Sequence, residues 1–156
     1  MSETVLKVRN LETFYGPVMA IRGVTLEVGK GQIVTILGSN GAGKTTILKT
    51  ISGAIEPQKG SVEFDGEEIT GMEPDKIARA GIRHVPEGRE VFPFLTVREN
   101  LEVGAFSEPD RKQVQRQMDR VFNFFPDLAR LYNHEAVYLS GGQQQMLAIG
   151  RALMVE

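Results

Sequence analysis

The stretch that decides the fold reads Gly38-Ser39-Asn40-Gly41-Ala42-Gly43-Lys44-Thr45. It matches G-x-x-x-x-G-K-[ST], in which glycines let the backbone wrap around phosphate oxygens and aim its N–H groups at them. Lys44 supplies a compact positive charge for the outer phosphates, and the Thr45 hydroxyl suits Mg²⁺, which prefers oxygen ligands. The pattern predicts a nucleotide site formed by Gly38, Ser39, Asn40, Gly41, Ala42, Gly43, Lys44, Thr45 and Thr46.

The segments on both sides of this loop have the patterns that the motif requires. Residues 33–37 (Ile-Val-Thr-Ile-Leu) are almost wholly apolar and rich in β-branched side chains, which predicts a strand buried on both faces, as in a parallel sheet. Residues 44–52 carry apolar side chains at helical spacing, and Gly53 is a natural stop. The positive end of this helix would therefore point at a bound anion.

The rest of the chain alternates short strand and helix signals. Period-two and β-branched patterns predict further strands at 5–8, 20–28, 61–64 and 82–85. Helices are predicted at 74–80, from the capping box that begins at Thr96, over the amphipathic stretch 109–125 that Pro126 ends, and from the capping box at Ser140.

Composition restricts the class of protein. The 156 residues include 41% hydrophobic and 24% charged side chains, which is ordinary globular usage and predicts one domain. The net charge of −2 gives no support for a nucleic-acid partner. No cysteine is present, so disulfides and thiolate metal sites are excluded. No apolar run approaches the ~20 residues of a membrane helix, and the N-terminus does not have the pattern of a signal peptide.

A second motif, Leu139-Ser140-Gly141-Gly142-Gln143, opens the last predicted helix. Ser140 and the two glycines are expected to expose free N–H groups at a helix N-terminus, which suits an anion. Taken with the phosphate loop upstream, the motif resembles the signature of the ABC ATPase family. The resemblance implies that two such domains pair head to tail, so that Ser140, Gly141, Gly142 and Gln143 of one domain face the γ-phosphate bound by the other.

The resemblance assigns roles to two further residues. Tyr15, in Phe14-Tyr15-Gly16, stands where the family has an aromatic side chain that stacks on adenine; the other interpretation is an ordinary strand aromatic. Glu87, in Pro86-Glu87-Gly88-Arg89, stands at the position of the family's glutamine loop. It is the candidate catalytic residue and, with Thr45, a candidate Mg²⁺ ligand, although a carboxylate replaces the neutral amide.

The fold implied by the resemblance is the α/β phosphate-loop NTPase fold of ABC ATPases, with an N-terminal antiparallel β subdomain, a parallel core sheet and a helical subdomain. Positions 1–156 would form one partial domain: about 1–85 the nucleotide-binding core and β subdomain, about 86–156 the glutamine-loop region, helical subdomain and signature helix. The family's Asp-Glu pair (Walker B) does not follow the signature helix within these residues. The C-terminal part of the core is therefore expected to be missing, and the 156-residue chain to have little or no ATPase activity.

Stretches 85–89, 95–101 and 144–153 look like the smaller ATPase subunit of bacterial branched-chain amino-acid importers. The resemblance implies ATP and Mg²⁺ as cofactors, transmembrane permease subunits and a second ABC ATPase subunit as partners, and a cytoplasmic position on the inner face of the cell membrane. Two alternatives stay open: a nucleotide-binding fragment without catalysis, and the ATPase of a non-transport ABC protein. The compact interval from Thr45 to Ser140 speaks against the second.

Overall fold

The computed structural model describes residues 3–155. Contacts between Cα atoms divide the chain into two compact units, Met1–Ile82 and Arg83–Glu156. The first unit combines a sheet with two helices, and the second is helical. Within the described part of the chain, no helix has the length and apolar character needed to cross a membrane.

The first unit is built on a four-stranded antiparallel sheet in the order β2-β1-β3-β4. Its strands are β1 (Thr4–Tyr15), β2 (Val18–Gly29), β3 (Lys59–Phe64) and β4 (Glu67–Glu68). The long β1–β2 hairpin closes through a turn in which Gly16 has a φ of 57°, a conformation that costs glycine little. The strands predicted at 5–8, 20–28 and 61–64 are confirmed.

One face of this sheet carries the core of the first unit. Helices α1 (Lys44–Ile51) and α2 (Pro74–Ala80) agree with the predicted bounds within one residue. The buried apolar side chains of this unit are Val8, Leu11, Ile21, Ile47, Ile51, Val62, Ile69 and Ile77. A hydrogen bond between the buried hydroxyls of Thr13 and Thr50, 3.2 Å apart, ties β1 to α1. The helix that follows the phosphate loop is thus fixed to the sheet.

The structure corrects two strand predictions. Residues 33–37 lie outside any strand, and Ile33 is 95% and Leu37 89% exposed, so the expected burial on both faces is wrong. Residues 82–85 also lie outside any strand. A buried parallel strand depends on neighbouring strands and on helices above and below. Across residues 3–155 every ladder is antiparallel, so the expected parallel core sheet is not formed there.

The second unit packs its helices around one apolar cluster. Its helices are α3 (Val97–Gly104), α4 (Arg111–Phe124), α5 (Pro126–Arg130) and α6 (Gly141–Ala152). The most deeply buried apolar residues are Val97, Leu101, Val121, Leu128, Ala136, Leu147 and Met154, each with 0% exposure. The predicted helices are confirmed, and Pro126, expected only to end α4, also occupies the first turn of α5.

The capping box at the start of α3 contains a carboxylate with a lowered pKa. The Glu99 carboxylate accepts hydrogen bonds from the N–H and the hydroxyl of Thr96, and these bonds hold the pKa of Glu99 below its usual range. A lowered pKa adds stability that is complete above the unfolded-state pKa and is lost as pH falls through the folded-state pKa. We expect Glu99→Gln to remove this part of the pH dependence of unfolding. The test is denaturant unfolding between pH 7 and pH 3.

A matched control is Glu73→Gln. Glu73 precedes α2 at a position without a side-chain capping bond, so this variant should keep the wild-type profile. Identical acid profiles for wild type and Glu99→Gln would contradict the assignment.

Candidate nucleotide site

The phosphate loop turns sharply where it enters α1. Gly43 is the N-cap residue, with φ 90° and ψ 4°, and Gly41 has φ 83°. A Cβ at Gly43 would lie 2.5 Å from Ile21 Cγ2 and 2.9 Å from the carbonyl oxygen of Ala20. Only glycine fits at this position, because the backbone is left-handed and also approaches β2 closely.

The N-terminus of α1 offers its N–H groups without competition from the protein. Gly43 has no capping side chain, and the first turn contains no acidic residue. The first-turn N–H groups of a helix have no intrahelical acceptor. Helices α3 and α6, in contrast, both begin with a capping box. The N-terminus of α1 therefore fits an external anion.

The Lys44 side chain folds back over the loop that precedes it. Its Nζ donates to the carbonyl oxygens of Gly38 at 2.8 Å and Ser39 at 2.7 Å. The N–H of Ala42 also donates to the Ser39 carbonyl, at 3.2 Å. An ammonium group has three donors, so one remains after these two bonds. The lysine thus holds its charge beside the loop amides.

The two threonines after Lys44 face opposite environments. Thr45 is exposed, whereas the Thr46 side chain is only 6% exposed. The Thr46 carbonyl accepts a 2.8 Å hydrogen bond from the Thr50 hydroxyl, inside the unit. The Thr45 hydroxyl is therefore available to a metal ion in solvent, while Thr46 can offer only its backbone N–H.

Tyr15 lies at the end of β1, in the hairpin that passes the phosphate loop. It pairs with Val18, and the two side chains are 48% and 63% exposed. Farther along β2, Ala20 and Ile21 contact the position of the Gly43 Cβ. The ring of Tyr15 thus has an exposed face on the same hairpin that supports the loop.

The second motif forms the capping box predicted for α6. The Ser140 hydroxyl accepts from the N–H of Gln143 at 3.3 Å, and the Gln143 side chain accepts from the N–H of Ser140 at 2.9 Å. The expectation that the N–H of Ser140 is free is therefore wrong, because Gln143 takes this donor. The Ser140 hydroxyl keeps its own hydrogen for donation, and the first-turn N–H groups of Gly141 and Gly142 have no intrahelical acceptor.

Glu87 is exposed at the start of an unusual turn. The three residues that follow it, Gly88, Arg89 and Glu90, have φ angles of 90°, 74° and 40°. A Cβ at Gly141 would lie 2.9 Å from Nη1 of Arg89. The guanidinium of Arg89 thus lies against the signature motif, a contact that no pattern in the sequence could indicate.

The two candidate magnesium ligands lie in different units, Thr45 in the first and Glu87 in the second. Over residues 3–155, no group of three or more acidic or histidine side chains is placed to hold a metal ion. Nucleotide-bound Mg²⁺ keeps several waters and phosphate oxygens and needs only one or two protein ligands. The exposed Thr45 hydroxyl fits that requirement.

A glycine-rich loop that enters an uncapped helix, with lysine and threonine in its first turn, defines a phosphate-loop nucleotide-binding domain. Residues 21–156 match the model of the ABC transporter family, and the chain belongs to that family.

Individual relatives agree with this assignment. The chain is 48% identical over 150 residues to the high-affinity branched-chain amino acid transport ATP-binding protein BraG of Pseudomonas aeruginosa, covering 96% of this chain and 64% of that protein. It is 35% identical to the probable branched-chain amino acid transport ATP-binding protein LivF of Archaeoglobus fulgidus, covering 96% and 63%. The chain thus spans less than two thirds of either relative.

Solved structures show the same fold. A nucleotide-free ATP-binding cassette from an ABC transporter matches with a TM-score of 0.82 and 31% identity, covering 97% of this chain and 65% of that one. The ADP conformation of the cassette MJ1267 matches with a TM-score of 0.82 and 30% identity, with the same coverage. The ABC ATPase fold expected from the sequence is confirmed.

Proposed function

We propose that this chain is the nucleotide-binding part of an ATPase subunit that drives solute import by an ABC transporter, with branched-chain amino acids as the solutes. The observation that carries the proposal is the uncapped N-terminus of α1, with Gly43 locked against β2 and the Lys44 ammonium beside it. The likeness to BraG and LivF supports the solute class. Residues 1–85 and 86–156 take the core and helical roles, respectively.

The residues of the loop fit the triphosphate of ATP. The N–H groups of the first turn of α1 and of the loop, apart from that of Ala42, which bonds Ser39, bind the phosphate oxygens. Lys44 exchanges a loop carbonyl for the outer phosphates. Thr45 holds Mg²⁺, which neutralises phosphate charge when bound. The donors are fixed in place before the nucleotide arrives, so little ordering is needed on binding.

The second unit supplies groups for a paired nucleotide site. We propose that the Ser140 hydroxyl and the N–H groups of Gly141 and Gly142 donate to the γ-phosphate held by a second ABC ATPase subunit. Gln143 fixes the helix start by its bond to Ser140. Glu87 stands at the family's glutamine-loop position, and we propose that it orients water or metal. Solved structures named as dimeric ABC cassettes support the pairing.

The proposal places the intact protein at the inner face of the cell membrane, held there by transmembrane permease subunits. The intact protein hydrolyses ATP, and each cycle of closure and release drives the permease. By the family resemblance, the carboxylate that positions the attacking water belongs to an Asp-Glu pair after the signature helix, and positions 141–156 contain no such pair. We therefore expect the polypeptide of these 156 residues to bind nucleotide with negligible turnover.

Substitutions at Tyr15 test whether its ring stacks on the adenine base of the nucleotide. We expect Tyr15→Ala to weaken binding of MgATP about 5- to 150-fold, because stacking on an aromatic ring contributes roughly 1–3 kcal/mol per base. Tyr15→Phe keeps the flat ring and should change affinity by less than about three-fold. Calorimetric titration of both variants provides the measurement. Equal losses for both variants would mean that the hydroxyl, not the ring face, contacts the nucleotide.

The proposed function as a whole is tested by transport. The intact protein is reconstituted with its permease subunits in vesicles, and ATP-dependent uptake is measured for leucine, isoleucine and valine against a panel of other amino acids and choline. We expect selective uptake of the three branched-chain amino acids, lost in Lys44→Ala. ATP hydrolysis without uptake of any branched-chain amino acid would contradict the solute class, and the absence of hydrolysis would contradict the ATPase role.

A further inference from the structure

The turn after Glu87 is strained and needs support. Arg89 and Glu90 have left-handed φ angles of 74° and 40°, a backbone conformation that residues other than glycine seldom adopt. One short contact within the turn, from the N–H of Glu90 to the carbonyl of Gly88 at 2.9 Å, closes it. Such conformations persist only where surrounding structure holds them, and they concentrate at functional sites.

Arg151, near the C-terminal end of α6, supplies part of that support. Its Nη2 donates to the carbonyl oxygen of Glu90 at 2.8 Å. Its guanidinium carbon lies 5.1 Å from the centre of the Phe92 ring, within cation–π range. One side chain of α6 thus contacts both the strained residue Glu90 and the ring of Phe92.

The other side of the loop is fixed by Asn100, which is 0% exposed in α3. Its amide group accepts from the N–H of Phe92 at 2.9 Å and donates to the carbonyl of Phe92 at 3.0 Å. The backbone of Phe92 is therefore held by α3, and its ring by Arg151. Movement of α6 relative to α3 would therefore distort the turn between Glu87 and Phe92.

Burial of the Arg151 side chain carries a cost in folding stability. Its Nη1 is buried and has no hydrogen-bond acceptor among the described residues. Burial lowers the pKa of Arg151, and the charge of Glu90 opposes that effect. A buried donor without a partner costs stability, which suggests that the arginine is kept for the geometry of its other contacts.

At its opposite end, α6 contacts the same turn again. The guanidinium of Arg89 lies against Gly141, where any Cβ would come within 2.9 Å of Nη1. Helix α6 spans Gly141 to Ala152, so the turn is connected to the helix near its start and near its end. The position of the signature helix and the conformation of the Glu87 turn are thereby linked.

We propose that Arg151 is a positioning residue that fixes the Glu87 turn to the signature helix, so that a shift of α6 moves Glu87. This inference rests on the proposed function, because it takes from there the role of Glu87 on water or metal and the role of α6 at the nucleotide of the paired subunit.

The first test measures steady-state ATP hydrolysis by the intact protein with its permease subunits. We expect Arg151→Ala to lower kcat about 10- to 100-fold, as small misalignments of reacting groups do. KM for MgATP should stay within about two-fold, because the proposed contacts with the nucleotide come from the phosphate loop and Tyr15 and not from Arg151. In a Glu87→Ala background, Arg151→Ala should cause almost no further loss, since both changes act through one group.

The matched control is Arg120→Ala. Arg120 also lies over a phenylalanine ring, that of Phe124 at 5.9 Å. It belongs to α4, which does not include the turn. It should leave kcat and KM unchanged. Arg151→Lys keeps a donor for the Glu90 carbonyl but removes the guanidinium over the Phe92 ring, and we expect an intermediate kcat. An equal loss of kcat from Arg151→Ala in the wild-type and Glu87→Ala backgrounds would overturn the proposal.

A second test needs no nucleotide, so its outcome does not depend on the proposed function. Amide hydrogen exchange of residues 88–92 should be faster in Arg151→Ala than in wild type, and unchanged in Arg120→Ala. If Arg151→Ala does not fold, Phe92→Leu replaces it in this test. This variant keeps an apolar side chain but removes the ring beneath Arg151, and it should give a smaller increase in exchange. Unchanged exchange in Arg151→Ala, or in Phe92→Leu if Arg151→Ala does not fold, would overturn the positioning role, whatever the ATPase assay shows.

Discussion

Gly43→Ala is expected to lower the free energy of unfolding of the first unit by about 2–6 kcal/mol. A left-handed non-glycine residue costs roughly 1–3 kcal/mol, and overpacking adds about as much. The new Cβ would meet Ile21 Cγ2 at 2.5 Å and the Ala20 carbonyl oxygen at 2.9 Å. The carbonyl belongs to the backbone of β2 and cannot rotate away, so the loop itself must move. Urea unfolding followed by circular dichroism measures the loss.

Gly41→Ala is the matched control for this prediction. Gly41 has nearly the same left-handed backbone, with φ 83°, but a Cβ there would have no heavy atom within 4 Å. It should show the backbone cost alone, about 1–3 kcal/mol. If the two variants lose equal stability, the close approach of β2 to Gly43 contributes nothing, and the loop is not held against the hairpin as described.

Lys44→Ala is expected to weaken the binding of MgATP at least about 100-fold. Charge-assisted hydrogen bonds contribute roughly 1.5–3 kcal/mol each, and the ammonium group can make two of them with the outer phosphates. Among residues 3–155, the hydrogen bonds of Lys44 Nζ go to loop carbonyls of its own segment, those of Gly38 and Ser39. Its removal should therefore leave folding nearly intact. Calorimetric titration gives the affinity, and thermal unfolding without nucleotide gives the stability.

Lys49→Ala separates this effect from a general loss of positive charge. Lys49 is exposed in the last turn of the same helix, α1, about 7.5 Å along the axis at 1.5 Å per residue. It should bind MgATP within about two-fold of wild type. A Lys44→Ala protein that binds as tightly as Lys49→Ala would show that the phosphates lie elsewhere.

Local chemistry made several features predictable from the sequence. Thr96 and Ser140, each followed three residues later by Glu or Gln, indicated the starts of α3 and α6, because a capping box involves only neighbouring residues. Pro74 indicated the start of α2, because the fixed φ of proline suits the first turn of a helix and is also a local property. The loop and the start of α1 followed from glycine positions and from the lysine and threonine after them.

Features that depend on distant parts of the chain were not predictable in this way. The apolar pattern at 33–37 indicated a buried strand, but burial depends on partners that the pattern does not contain, and Ile33 and Leu37 are exposed. The links from Arg89 to Gly141 and from Arg151 to Glu90 join residues about 50 to 60 positions apart. The sequence offers no periodicity or spacing that connects such pairs.

The central claim is that loop amides and the Lys44 ammonium bind the phosphates of a nucleotide. Proton–nitrogen correlation spectra of the chain, recorded while MgATP is added, test it most directly. The account predicts that the amide signals of residues 40–46 show the largest shifts, and that these shifts disappear in Lys44→Ala while Lys49→Ala retains them. Saturable shifts confined to other residues, with those of residues 40–46 unchanged, would contradict it.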